Sequence, residues 1–202
     1  MASFNAIYIT VFFSVLVFIH GSLASQNTNT YVQEACGFTR YQDLCIRSLS
    51  SFSHTARRSP SKWARAGVSV TLSEAKDVSR LLTKLARSGS MKGKDRLALS
   101  DCVETLQDTL DNLHMSLGVL RRLDPTKFET QMEDIITWVS AALTDEETCL
   151  DGFDEEVEGD SGGSKRQVKL VKTRVSRASY MTSNALALVN RLASNGLGNL
   201  EN

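Results

Sequence analysis

The sequence predicts an all-α fold: an antiparallel up-and-down four-helix bundle, preceded by an N-terminal helical hairpin and held by two disulfides. Three observations predict it. Only two prolines occur, Pro60 and Pro125, and both fall where periodic segments meet. Four long segments carry apolar residues at alternating steps of three and four, the period of an amphipathic helix, while strict alternation of β-branched residues is scarce. Four cysteines lie downstream of an apolar leader, and an even count in an exported chain argues for disulfides.

The leader comes first. Ile7 to Ile19 is apolar apart from Thr10 and Ser14, no charged residue precedes Glu34, and Ser22-Leu23-Ala24 offers a small-residue cleavage site. Residues 1–24 are therefore expected to be a signal peptide, since the run is shorter than the roughly 20 residues that span a bilayer. The mature chain is expected to be secreted, free of membrane, and to form one domain over residues 25–196. Its first element, residues 31–55, contains "YVQEACGFTRYQDLCIRSLSSF". Two short helices around Gly37 would place Cys36 near Cys45. Such a hairpin is too small for a core of its own and must pack on the bundle or on another molecule.

The bundle occupies residues 61–195. Its first helix runs from about Ser61 to Ser88, with Val70, Val78, Leu81, Leu82 and Leu85 as its apolar face and Gly89 as its stop. The second runs from about Lys94 to Leu123 on Leu99, Cys102, Val103, Leu106, Leu110, Leu113, Leu117 and Leu120. The third follows Pro125, buries Met132, Ile135, Ile136, Val139, Ala142 and Leu143, and carries Cys149 at its far end. The fourth runs from about Ser164 to Asn195, with a seam of Val168, Val171, Val175, Ala178, Thr182, Ala185, Val189 and Leu192. Each stripe needs partners, and short turns between such helices favour an antiparallel bundle. The connection "DEEVEGDSGG" reads as a solvated loop, and residues 197–202 as a polar tail.

Four cysteines allow three pairings. Nine residues separate Cys36 from Cys45, so these two can close a local loop, which leaves Cys102 for Cys149. Zinc is disfavoured: no Cys-x-x-Cys occurs, and the mature chain holds only His54 and His114. Net charge is zero but unevenly spread. Residues 26–100 hold 13 Lys/Arg and 5 Asp/Glu, residues 101–158 hold 3 and 16, and residues 159–202 hold 7 and 2. Without excess positive charge, nucleic acid is not expected as a partner. Threonines and carboxylates crowd around Cys149 in "SAALTDEETCLDGF". Paired carboxylates do acid–base work only when held in a cleft with one pKa raised, and a helical bundle offers no obvious cleft. No triad partner accompanies His54, no glycine-rich phosphate loop is present, and the acidic residues after Thr144 do not alternate as a calcium loop requires. A binding protein without catalytic residues, metal or cofactor is the expectation.

Four landmarks carry a resemblance: "CGFTRYQDLCIRSLSSF", "ALSDCVETLQDTLDNLHMSL", "ITWVSAALTDEETCLDGF" and "TSNALALVNRL". In this order and spacing, from about Tyr31 to Leu192, the chain resembles the plant invertase and pectin methylesterase inhibitors. The resemblance implies a four-helix bundle behind a helical hairpin, cysteines paired first with second and third with fourth, secretion to the cell wall, and inhibition of a cell-wall enzyme through a stoichiometric, 1:1 complex. It implies that the second and third bundle helices cover the pectin-binding cleft of a pectin methylesterase. Glu104, Asp108, Asp111, Thr148, Asp151 and Asp124 match family contact positions, while Thr109 stands where at least one member carries an aromatic. Glu104, Asp108 and Asp111 step by four and three, so they form one stripe, and an acidic stripe can mimic the carboxylates of a polyanionic substrate.

The invertase branch presents a Pro-Lys-Phe turn before its third helix. Here Thr126 interrupts it in "DPTKF", so Pro125, Lys127 and Phe128 are the candidate contacts of an alternative, invertase-directed reading. Without any resemblance Pro125 is simply a helix start. A non-inhibitory signalling or lipid-binding bundle is the remaining class, and partner enzyme activity separates it from the other two.

Overall fold

The structure, a computed structural model, describes residues 30–153 and 162–196; the leader, residues 154–161 of the acidic connection and the polar tail lie outside the described residues. Nine helical or near-helical elements follow one another among the described residues. A first helix, α1, spans residues 30–36. It is followed by α2 (Gln42–Leu49), a 3-10 turn (Ser50–Phe52) and α3 (Ser53–Ala56), which complete the hairpin region. The bundle consists of α4 (Pro60–Ser88), α5 (Gly93–Leu120), α6 (Phe128–Asp151), entered through a 3-10 turn (Pro125–Lys127), and α7 (Gly162–Asn195). Helix α4 packs on α5 and α7, and α6 packs on the same two, so the four form a closed ring with α5 and α7 at diagonal corners.

Local chemistry sets the helix ends. Ser59 caps α4 by accepting from the Lys62 N–H at 3.5 Å, and Pro60 fills the first turn, where its missing N–H costs nothing. Gly89 ends α4 at φ +62°, the left-handed cap that glycine adopts without a Cβ penalty. Helix α5 stops at Leu120, three residues before the sequence expectation. Asp124 precedes a proline and is held extended, so the helix cannot run through it. Asp124 instead caps the next turn, its carboxylate accepting from Thr126 N–H (2.9 Å) and Thr126 Oγ1 (2.7 Å). Helix α7 begins at Gly162, two residues before the expected Ser164, and Ser164 Oγ donates to Asp95 in the first turn of α5.

The core has two apolar tiers. One gathers Val68, Leu72, Leu113, Ile135, Val139 and Val189 with their neighbours; the other gathers Val78, Leu82, Leu99, Leu106, Val171 and Val175 around the Cys102–Cys149 disulfide. Between them in sequence register, α5, α6 and α7 each supply a buried polar residue: Thr109, Glu146 and Thr182. The α7 seam is buried as expected, apart from a half-buried Val168. The α4 face differs. Val70, Leu81 and Leu85 are half-buried, and the buried stripe runs through Ala64, Gly67, Val68, Leu72, Ala75, Val78 and Leu82. Small residues let α4 approach α7 closely: a Cβ on Gly67 would lie 2.9 Å from Leu188 Cδ1 and 3.5 Å from the Ala185 Cα.

The hairpin packs on its own bundle. Val32, Ala35, Leu49 and Ala56 form a third cluster with Trp63 and Ala66 of α4 and Leu188 of α7. Trp63 Nε1 donates to the Arg57 carbonyl at 2.7 Å. Asn184 of α7 clamps the hairpin backbone, accepting from Tyr41 N–H (3.0 Å) and donating to the Tyr41 carbonyl (2.9 Å). Cys36 pairs with Cys45 and Cys102 with Cys149, at Cα separations of 5.8 and 4.4 Å.

Candidate functional site

The candidate face lies on α5 and α6, and the Cys102–Cys149 bridge sets its register. Thr109 Oγ1 lies 3.4 Å from the Ala142 carbonyl, and Asn112 Nδ2 donates to Asp145 Oδ2 at 3.2 Å. The bridge and the Thr109–Ala142 contact share one antiparallel register, which places Glu104 near the level of Glu147 and Thr148 and Asp108 near that of Leu143 and Thr144, while Asn112 and Asp145 meet diagonally across it. Glu104, Asp108 and Asp111 are all exposed on the outer side of α5, as are Thr148 and Asp151 on α6. The structure therefore brings these five onto one helix pair.

This face has no cationic counterpart of its own. No Lys or Arg occurs from residue 97 to 120 or from residue 128 to 151, so the helices that carry the stripe supply no compensating charge. The stripe's hydrogen bonds come from neutral groups instead: Gln107 Nε2 donates to Asp111 Oδ1 at 3.3 Å, and Asn112 donates to Asp145. Burial raises the Asp145 pKa, with Asn112 opposing the shift and the charge of Asp108 adding to it. An uncompensated anionic surface favours a partner that brings cations or N–H donors.

Asp124 stands apart. It lies in the α5–α6 turn, beyond the C-terminal end of α5, and its carboxylate is committed to capping. The Thr126 hydroxyl and N–H, with Lys127 nearby, hold its pKa below the usual carboxylate value. Pro125 and Lys127 are exposed in the same turn, whereas Phe128 packs against the larger apolar tier. The aromatic of the alternative site is thus anchored in the bundle.

Asp101, Asn112 and Asp145 belong to the same face. Asp101 is exposed three residues before Glu104 and extends the stripe; its spacing was a usable signal. The Asn112–Asp145 pair joins two helices 33 residues apart in sequence, which no local pattern announces. Thr109, at the position of the family aromatic, is buried between α5 and α6 and presents no side chain to a partner. Glu146, in the middle of the acidic run, is fully buried, and neither carboxylate oxygen has a hydrogen-bond partner among the described residues. Burial pushes its pKa up to about 8; the neighbouring Thr182 hydroxyl opposes the shift, and the charges of Asp145 and Glu147 add to it. Among the described residues, no cluster of potential metal ligands occurs, and no helix is long and apolar enough to cross a membrane.

The fold and much of the sequence are shared with known proteins. A family model described as plant invertase/pectin methylesterase inhibitor matches residues 30–188. The chain is 48% identical to Pectinesterase inhibitor 6 of Arabidopsis thaliana over 169 residues, covering 84% of this chain and 78% of that one. It is 38% identical to Pectinesterase inhibitor 10 of the same plant, over 86% of this chain and 54% of the other. The crystal structure of a mutant form of a pectin methylesterase inhibitor from Arabidopsis has the same fold at 20% identity, with a TM-score of 0.50 over 73% of this chain and 91% of that one. The family model over most of the chain and the relative at 48% identity agree with the helical bundle: the chain belongs to the plant invertase/pectin methylesterase inhibitor family.

Proposed function

We propose that this protein is a secreted inhibitor of plant pectin methylesterase, acting in the cell wall through a 1:1 complex in which α5 and α6 cover the enzyme's pectin-binding cleft. The observation that carries this reading is the exposed row Glu104, Asp108 and Asp111 on helices without a single Lys or Arg across their facing spans. A cleft that accepts a polyuronate must tolerate carboxylates along its length. A rigid helix pair bearing carboxylates at helical intervals offers such groups at little entropic cost, because the disulfide and packed core already fix their positions. Thr148 and Asp151 extend the contact across α6, and Asp124 marks its edge. The chain itself does no chemistry: it excludes the substrate polymer by occupying its place.

The pH dependence follows from the carboxylates. Protonating the interface carboxylates would remove the charge the enzyme meets, so inhibition is expected to weaken as the solution is made more acidic. Asp145, already raised by burial, protonates early.

The invertase-directed reading requires Pro125, Lys127 and Phe128 to enter an active site together. Packing of the half-buried Phe128 against the bundle core weighs against it. The test is a charge-neutralised variant, E104Q/D108N/D111N. It keeps the helical shape and is expected to inhibit pectin methylesterase at least about tenfold more weakly, a loss of about 1.4 kcal/mol or more. Unchanged inhibition by a folded variant would remove the stripe from the interface.

A further inference from the structure

The fold sorts charge onto opposite sides of the bundle. Helix α7 carries seven Lys/Arg and no Asp/Glu over Gly162–Asn195, and it stands diagonally across from acidic α5. On this basic side, α2 and α7 enclose an open groove of about 630 Å³, within the size range of small-ligand sites. Its walls carry Arg40 and Arg47 from the hairpin and Arg174 and Arg177 from α7, against one lining carboxylate, Asp43.

Two of the four guanidiniums are held in place and two are free of ion pairs. Glu74 of α4 lies 3.2 Å from Arg177 Nε and 3.9 Å from an Arg174 terminal nitrogen. Arg40 and Arg47 make no ion pair among the described residues, and the buried Nε of Arg174 has no hydrogen-bond partner there. At one end of the groove Tyr41 and Tyr180 stack, with ring centroids 4.1 Å apart and planes 21° from parallel, and Arg40 lies 5.7 Å from the Tyr41 centroid. The Asn184 clamp on the Tyr41 backbone fixes this aromatic platform before any ligand arrives.

We propose that this groove binds an acidic polysaccharide, with uronate carboxylates on Arg40, Arg47, Arg174 and Arg177 and a sugar ring against the Tyr41–Tyr180 stack. Guanidinium forks match carboxylates in shape as well as charge, and the tyrosines present a flat apolar face with a polar tip to the C–H face of a pyranose. Arg166, Lys169, Thr173 and Arg177 continue along the exposed side of α7 at helical steps, about 16 Å of track suited to a linear polymer. A membrane surface fits less well, since Leu44 is the one aliphatic residue lining the groove.

The inference rests on the reading of the chain as a pectin methylesterase inhibitor, because hydrolysis of a methyl ester on pectin releases methanol and a proton and leaves a carboxylate on the uronate, which stays in the polymer. Because the groove lies away from α5 and α6, the protein can hold the de-esterified polymer while its acidic face engages the enzyme.

The experiment is a calorimetric titration of the oxidised, mature protein with de-esterified polygalacturonate, the same polymer fully methyl-esterified, and single-stranded poly(A). The acid polymer is expected to bind, to weaken with added salt, and to bind at least about tenfold more tightly than the ester or poly(A). The R40Q/R47Q variant is expected to lose about tenfold in affinity while inhibiting the esterase at the wild-type molar ratio; Y180A, checked for an intact helical spectrum, should also bind the acid polymer more weakly. No binding, equal binding of acid and ester forms, preference for poly(A), or wild-type affinity in R40Q/R47Q would each overturn the proposal. Polymer binding without esterase inhibition would count against the inhibitor reading alone, and inhibition without polymer binding would count against the groove alone.

Discussion

Glu146 shows how a single residue can sit in a functional motif and serve the core. It lies inside the run around Cys149, yet it is fully buried beside Thr182, at the level of the helix where one apolar tier gives way to the other. With its pKa raised from 4.5 to about 8, it is neutral in the folded protein at neutral pH. Below about pH 4.5 the carboxyl is protonated in folded and unfolded chains alike, and its neutral burial contributes fully. As pH rises toward 8 the unfolded chain releases the proton and the folded protein keeps it, so stability falls by about 1.4 kcal/mol per pH unit. Glutamine has the same shape and does not titrate. The E146Q variant should melt with the wild type near pH 4.5 and above it as pH approaches 8, at roughly 2–4 °C for each kcal/mol. Thermal melts across that range check this, and parallel profiles for the two proteins would contradict it. The sequence held the signal: Ile135, Val139, Ala142, Glu146 and Cys149 step by 4, 3, 4 and 3, so helical phase alone puts Glu146, not Glu147 or Asp151, on the buried seam, and only its acidic type disguised it.

At the scale of elements, the order and type of the helices were legible and their buried faces only partly so. The α5 and α7 stripes could be read because leucine and valine recur there at steps of three and four. On α4 the buried line depends on Ala64, Gly67 and Ala75, residues whose small size matters only once α7 lies against them. The exposed half of the candidate site, Glu104, Asp108, Asp111, Thr148 and Asp151, followed from helical spacing and resemblance. The Asn112–Asp145 bond followed from neither, since it exists only after the helices dock. The disulfides differ in what they hold. Cys102–Cys149 spans 47 residues and Cys36–Cys45 spans nine, and chain-closure entropy alone assigns them about 4 and about 2.6 kcal/mol. C102S/C149S should therefore lose more stability in denaturant melts than C36S/C45S. It should also lose more inhibition, because the longer bridge sets the register of Glu104 against Thr148. Trp63 joins hairpin to bundle through its buried ring and its bond to the Arg57 carbonyl. W63A should cost about 3–5 kcal/mol, and protease cleavage within residues 30–59 would report the hairpin's release.

At the scale of the molecule, a net charge of zero conceals a strong separation. The acidic middle of the chain becomes one side of the bundle, and the basic flanks become the hairpin, α4 and α7. That separation was visible in the sequence as counts, but only the closed ring of helices turns it into opposed faces. An anionic face without its own cations should make complex formation sensitive to salt, and association with the enzyme should slow as ionic strength rises. Inhibition of pectin methylesterase by the α5–α6 face is tested by a paired titration, with oxidised mature protein added to a plant pectin methylesterase and, separately, to a cell-wall invertase. Esterase activity is expected to fall linearly to an equivalence point at one inhibitor per enzyme, with invertase unaffected and E104Q/D108N/D111N shifted to weaker inhibition. Loss of invertase activity with the esterase untouched would contradict this and move the contact to Pro125, Lys127 and Phe128.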